Sequence, residues 1–301
     1  MACCAFFEEI FMENVSQEQW STVIRPRSGW FDIDLKELWQ YRDLVTMFVK
    51  RSFTTLYKQT VLGPAWILIN PLITTVIFTV VFGGIAGLAE EGVPSFLFYM
   101  AGNAVWSFFS SCITGTANTF VSNAGLFGKV YFPRLTMPIS QVLIALVNLG
   151  IQMLMFFIFW VWFYFFGQEY GTVSMNIWVL ALPAVLLLVM VLGLGVGIIV
   201  SSLTTKYRDL AIVVGFGVQL WMYATPVVYS MSEIAANSPR LLTLMRLNPM
   251  TEPVLVFRYA LLGCGEISPL WLLYSAVFSL VMLAVGVVLF SRVEKTFMDT
   301  V

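Results

Sequence analysis

Between residues 123 and 137, Lys129 and Arg134 stand among Leu126, Phe127, Val130, Tyr131 and Phe132, with Asn123 at the start and Pro133 breaking the run. Two cations set in an apolar, aromatic surface suit the chemistry of recognition. The cations orient a partner and the rings fill its groove. Long stretches without a charged residue flank the loop on both sides, so it joins two membrane spans. Short cytoplasmic loops are enriched in Lys and Arg, which places this one inside the cell. A passive membrane anchor has no need of such a cluster on a short loop, whereas a chain that docks a soluble partner does.

Groups suited to bond making are scarce. Histidine is absent, which removes the usual general base and the commonest metal ligand. No GxxxxGK[ST] phosphate loop, HExxH or GxSxG occurs, so this chain does not hold ATP in the P-loop manner and presents no familiar hydrolase centre. The expectation is no cofactor and no metal in this chain, and no enzyme activity of its own. Cys3, Cys4, Cys112 and Cys264 have no metal or disulfide spacing. An intramembrane glycosyltransferase would have only Glu233, Glu252 and Glu266 with a few arginines to work with. The predicted spans carry essentially no Asp, Glu, Lys or Arg, unlike ion-coupled transporters. Energy for any transport must therefore enter from outside the membrane region.

Composition identifies the medium these residues work in. The 301 residues are 59% hydrophobic and 11% charged, with a mean hydropathy of +0.86. A soluble domain carries roughly a quarter charged residues. The fold class expected is therefore an all-α integral membrane protein. A net charge of −1 gives no basic field for nucleic acid.

Residues 1–33 read as a cytoplasmic lead-in, and the first of them lack the basic-then-apolar layout of a signal peptide. Residues 34–62 form an amphipathic helix. Leu35, Leu38, Val45, Val49, Phe53 and Leu56 recur at three- and four-residue steps, with Arg42, Lys50, Arg51 and Lys58 among its cations. A basic amphipathic helix before a span lies in the headgroup plane; the first helix of a soluble domain is the alternative. Gly63 and Pro64 stop it.

Six spans follow within 63–292, at about 65–88, 94–121, 137–166, 177–203, 210–229 and 269–291. Ser107, Ser111, Thr114 and Asn118 stripe the second span, as a helix-packing surface or as a path lining. Gly193, Gly195 and Gly197 permit close approach on the fourth. The segment 230–268 contains a span-length stretch, but Arg246, Glu252 and Arg258 at about 2.5–3.5 kcal/mol each argue against a lipid-facing crossing. Two short helices dipping back from the outer face fit better. Of the sixteen basic residues, all but Arg240, Arg246 and Arg258 fall on inner segments. Both termini, including the tail 293–301, are therefore expected in the cytoplasm.

Five stretches together resemble the membrane subunit of type-2 ABC exporters that move polysaccharides, the O-antigen, capsule and teichoic-acid permease family. They are LKELWQYRDLVTMFVKR at 35–51, YKQTVLGPAWILINPL at 57–72, LFGKVYFPRLTMP at 126–138, TPVVY at 225–229 and LNPMTEPVLVFRYALL at 247–262. With the spans they extend the resemblance over roughly 25–295. Ser52 departs from the family, whose members often carry an acidic residue there.

The resemblance implies a homodimer in the bacterial inner membrane, working with two copies of a cytoplasmic ATPase that carries the Mg-ATP. It implies that the loop at 123–137 is the coupling loop, that the helix at 34–62 joins the same interface, and that the segment 230–268 lies near the outer mouth. The implied substrate is a glycan on undecaprenyl diphosphate, with export of a drug or another lipid on the same fold as the alternative. Arg51 and Lys58 can contact the diphosphate or simply anchor in headgroups. Aromatic rings stack on sugar faces, so Trp66, Phe78, Phe216, Trp221 and Tyr223 are candidate channel residues.

Overall fold

The computed structural model describes residues 35–58, 63, 65–88, 92–119, 122–123, 125, 132–167, 169, 171–204, 207, 209–237 and 239–300. The predicted lead-in and Leu126, Phe127, Lys129, Val130 and Tyr131 of the predicted docking loop lie outside the described residues. The described elements are helical. They are α1 (Leu35–Gln40), α2 (Arg42–Lys58), α3 (Ala65–Phe78), α4 (Ser95–Ala117), α5 (Thr136–Phe166), α6 (Leu182–Thr204), α7 (Leu210–Tyr223), α8 (Met231–Asn237), α9 (Pro239–Arg246), α10 (Thr251–Leu262) and α11 (Pro269–Thr300). A π-helical turn, Thr79–Ile85, prolongs α3, and a 3-10 turn, Ile177–Ala181, leads into α6.

Five of these are long and apolar enough to cross a membrane: Ala65–Ile85, Ser95–Ala117, Thr136–Phe166, Ile177–Thr204 and Pro269–Arg292. The chain is a multi-pass membrane protein. The least apolar of the five, α4, is the central one. Of its apolar window 78% is buried, against 11% for α3 with its π-helical turn. Lipid tails are as apolar as leucine, so a helix surrounded by protein needs small and polar packing groups more than hydrophobicity. Leu97, Tyr99, Ala101, Val105, Phe109, Cys112 and Ile113 of α4 are all fully buried.

Glycines let α6 lie between α4 and α11. A Cβ at Gly193 or Gly197 would come within 2.7 Å of the Cβ of Cys112 or Thr116 on α4. Two residues on, and so facing the other way, a Cβ at Gly195 would lie 2.7 Å from the Leu283 backbone nitrogen on α11. Gly286 completes that contact, since a Cβ there would lie 2.8 Å from the Gly195 carbonyl oxygen.

The predicted fifth span, 210–229, is shorter than expected. Helix α7 ends at Tyr223, about 21 Å at 1.5 Å per residue against a hydrocarbon core of about 30 Å. Pro226 disfavours helical geometry at Thr225 and supplies no donor, so 224–230 forms turns. The predicted helix at 34–62 is also divided: Tyr41 lies between α1 and α2, its N–H donating to the Leu38 carbonyl at 3.2 Å. At the far end α11 continues through the predicted tail to Thr300.

Candidate functional site

Two groups of residues at opposite ends of α4 hold the elements together. At the end near 122–125, the start of α5 is set by its prolines. Thr136 N–H donates to the Pro133 carbonyl at 3.0 Å, and Pro138 lies in the first turn, where a missing donor costs nothing. Phe132, just before α5, is buried. It clusters with Met137, with Ile198 near the end of α6 and with Phe290 of α11, and Tyr41, Leu44 and Phe48 pack onto that cluster. The rings of Phe48 and Phe132 have centroids 6.0 Å apart and are tilted by 52°. One apolar junction thus joins α2, the end of the 123–137 loop and the ends of α6 and α11.

The opposite face of α2 is solvated. Arg42, Lys50, Arg51 and Lys58 are exposed. Arg42 has its Nε 4.0 Å from the Asp43 carboxylate and its guanidinium 5.9 Å from the Trp39 ring. An exposed pair of this kind contributes little to stability, which leaves the cations available to a partner or a headgroup. The inward face is turned slightly from the predicted one, with Tyr41, Leu44 and Phe48 joining Val45, because the aromatic Phe132 lies on that side. Asn123 is half-buried, its Nδ2 donating to the Thr119 carbonyl at 2.9 Å. Pro133 and Arg134 are half-buried.

The second group closes around the turns after α7. A helix that stops short leaves its last carbonyls without intrahelical donors. Asn248 supplies two: its Nδ2 donates to the Ala224 carbonyl at 3.0 Å and to Thr225 Oγ1 at 2.8 Å. Its Oδ1 accepts from Trp221 Nε1 and from the Met250 N–H, both at 3.1 Å. All four bonding positions of the amide are used.

Arg258 supplies the rest. Its side chain is 2% exposed. Nε donates to the Phe98 carbonyl at 3.2 Å, Nη1 to Pro226 at 2.6 Å and Nη2 to Val227, and the guanidinium lies 3.6 Å from the centroid of the Phe98 ring. Gly102 makes this possible, since a Cβ there would collide with Nη2 and lie 3.2 Å from the Val227 carbonyl oxygen. The charge that makes 241–262 a poor lipid-facing helix is thus the cation that satisfies the broken backbone of 226–227.

Glu252 is likewise buried. It accepts the Ser268 N–H at 2.6 Å and so ties α10 to the start of α11. Burial pushes its carboxyl up, opposed by that N–H and by the charge of Arg246. A cavity of about 330 Å³ opens beside this clasp, with Ser230, Ser232, Arg246, Arg258 and Glu266 in its wall. Among the described residues no group of three or more His, Cys, Asp and Glu is placed to hold a metal.

The five candidate channel aromatics are scattered. Trp66, Phe216 and Tyr223 are exposed and Phe78 is buried. Phe78 packs edge-on against Tyr99 and Phe82, and Trp221 packs edge-on against Phe109. None stacks on another of the five. Sequence reasoning missed Asn248 and Gly102. Asn248 precedes Pro249 in a quoted stretch, a helix-stop signal, while Gly102 has no local signal at all.

Residues 43–262 match the family described as ABC-2 type transporter, more than half the chain, and this protein belongs to that membrane family. The match runs from α2 to the end of α10, taking in Phe48, Phe132, Met137 and Ile198 of the first group and Asn248, Glu252 and Arg258 of the second. Among curated proteins the chain is 29% identical over 220 residues to the O-antigen export system permease protein RfbA of Myxococcus xanthus, covering 72% of this chain and 80% of that one. It is 26% identical over 261 residues to a protein of the same name from Klebsiella pneumoniae, covering 85% and 94%. A second Klebsiella pneumoniae protein of that name is 25% identical over 260 residues.

Proposed function

We propose that this chain is the permease subunit of an ATP-driven exporter that carries a lipid-linked polysaccharide, of O-antigen or capsule type, across the bacterial cytoplasmic membrane. It works as a homodimer with two copies of a separate cytoplasmic ABC ATPase, on which the Mg-ATP is hydrolysed. The 123–137 end is cytoplasmic, α7 with its following turns makes a sixth crossing, and α8–α10 form a re-entrant segment at the outer face. The substrate is a glycan on undecaprenyl diphosphate.

The observation that supports this best is the apolar junction of Phe48, Phe132, Met137 and Phe290. A docking loop transmits force only if it is fixed to the spans it must move. Here the end of the loop is packed against the interfacial helix and the ends of two long helices. ATPase closure against the loop would therefore move α2, α5, α6 and α11 together. The exposed Arg51 and Lys58 on α2 suit the diphosphate of an entering lipid.

The test is deletion of the gene in its host. Surface glycan should disappear while lipid-linked glycan accumulates in the inner leaflet, and the chain supplied in trans should restore export in that strain but not in one that also lacks the ATPase. Undiminished surface glycan in the deletion strain would overturn the proposal.

A further inference from the structure

At the cytoplasmic end of α4 lies a second cavity, about 280 Å³ in volume, whose wall among the described residues is made of uncharged polar side chains and one glycine. Four of its residues each turn one donor into the backbone four residues earlier. Thr114 Oγ1 donates to the Ser110 carbonyl at 2.8 Å and Thr119 Oγ1 to Gly115 at 3.0 Å. Asn118 Nδ2 donates to Thr114 at 3.1 Å and Asn123 Nδ2 to Thr119 at 2.9 Å. What these residues still have to offer are two amide Oδ1 atoms and the hydroxyl lone pairs as acceptors, and the second N–H of each amide as a donor. Ser122, and Gln141 across the groove on α5, complete the wall. Neither makes a side-chain hydrogen bond among the described residues.

A wall of neutral acceptors and amide donors, with two further side chains able to do both, suits an uncharged ligand rich in hydroxyls, which donate and accept. It does not suit a diphosphate, which brings acceptors and negative charge and is met by cations. We infer that this cavity is a saccharide subsite: it takes the first sugars of the lipid-linked glycan at the cytoplasmic entrance, next to the docking loop, while the diphosphate stays outside it. This inference rests on the glycan-export reading and assigns sugar recognition to hydroxyl and amide groups on α4, on residues 118–123 that follow it, and on α5.

The experiment uses the purified complex of this chain with its ATPase in lipid nanodiscs. ATPase activity is titrated with the glycan lipid extracted from the host and, separately, with undecaprenyl diphosphate bearing no sugar. The variant is Ser122→Ala with Gln141→Met, chosen because neither side chain holds the fold together through a hydrogen bond. Loss of two neutral hydrogen bonds should raise the half-saturating concentration of the glycan lipid on the order of tenfold and leave that of the bare lipid unmoved. Ser122→Ala alone should shift it in the same direction by a smaller factor. Equal shifts for both lipids would make the cavity part of the lipid site and overturn the inference, and so would no shift for either. A wild-type complex that responds to the bare lipid as it does to the glycan lipid would instead overturn the glycan-export reading.

Discussion

Replacing Arg258 with Met keeps the length of the side chain and removes every donor, so it isolates what the guanidinium does. Three carbonyls, on Phe98, Pro226 and Val227, would lose the buried side chain that partners them. At about 1 kcal/mol for each net hydrogen bond the loss is about 3 kcal/mol. For a chain of this size that lowers the unfolding temperature by about 5 °C. Arg258→Lys is the more informative partner variant. It keeps the charge but replaces a planar fork with a single ammonium, which cannot reach three carbonyls held in the geometry seen here. A buried cation with part of its compensation gone is strongly destabilising, so Lys should be at least as damaging as Met. The assay is thermal unfolding of the detergent-solubilised protein, followed by the loss of its monodisperse peak. Two results would refute the reasoning: a Met variant within about 2 °C of wild type, or a Lys variant that melts like wild type. Normal melting with export lost in Arg258→Met would mean that Arg258 contacts the substrate instead.

Gly102→Ala should disturb the same site from the α4 side and lower the unfolding temperature by a similar amount, and combined with Arg258→Met it should cost less than the sum, because the two changes act on one contact. Asn248→Leu leaves the Ala224 carbonyl and the Trp221 N–H unpartnered and should cost about 2–3 kcal/mol; the Trp221 fluorescence maximum should shift as its N–H loses its acceptor. Gly195→Leu should separate α6 from α11 and abolish assembly with little effect on membrane insertion, readable as aggregation on solubilisation. In whole cells, Glu169→Cys should react with a membrane-impermeant maleimide and Tyr207→Cys should not; the reverse pattern would invert the topology.

Much of the architecture was legible because the membrane imposes a simple pattern. Where residues face lipid, composition alone marks the element, and the ends of α5, α6 and α11 near 136, 204 and 269 lie within a residue or so of the expected positions. The junction was legible in part, since Phe132 was singled out in the loop at 123–137 and a helix was expected over 34–62, although Phe48 was not picked out. The clasp was not legible. Arg258 bonds to Phe98 across 160 positions and to 226–227 across about 30, and no local spacing encodes such a partner. Charge cost argued against a lipid-facing helix at 241–262 without revealing what the charge was for. The short α7 could have been foreseen from Pro226, whose effect the apolar run through 229 concealed. The aromatic candidates were chosen for their chemistry rather than their position, and the uncharged groove beside α4 sits on the polar stripe that packing had seemed to explain.

The most direct test of the account is whether the 123–137 loop binds the ATPase that drives export. Lys129→Glu with Arg134→Glu reverses the cations without emptying the apolar junction. Co-purification with the ATPase and surface glycan should be measured on the same cells. The account predicts that the ATPase is lost and the glycan is retained inside while the permease remains in the membrane at normal abundance. An ATPase that stays bound, with glycan still reaching the surface, would contradict it.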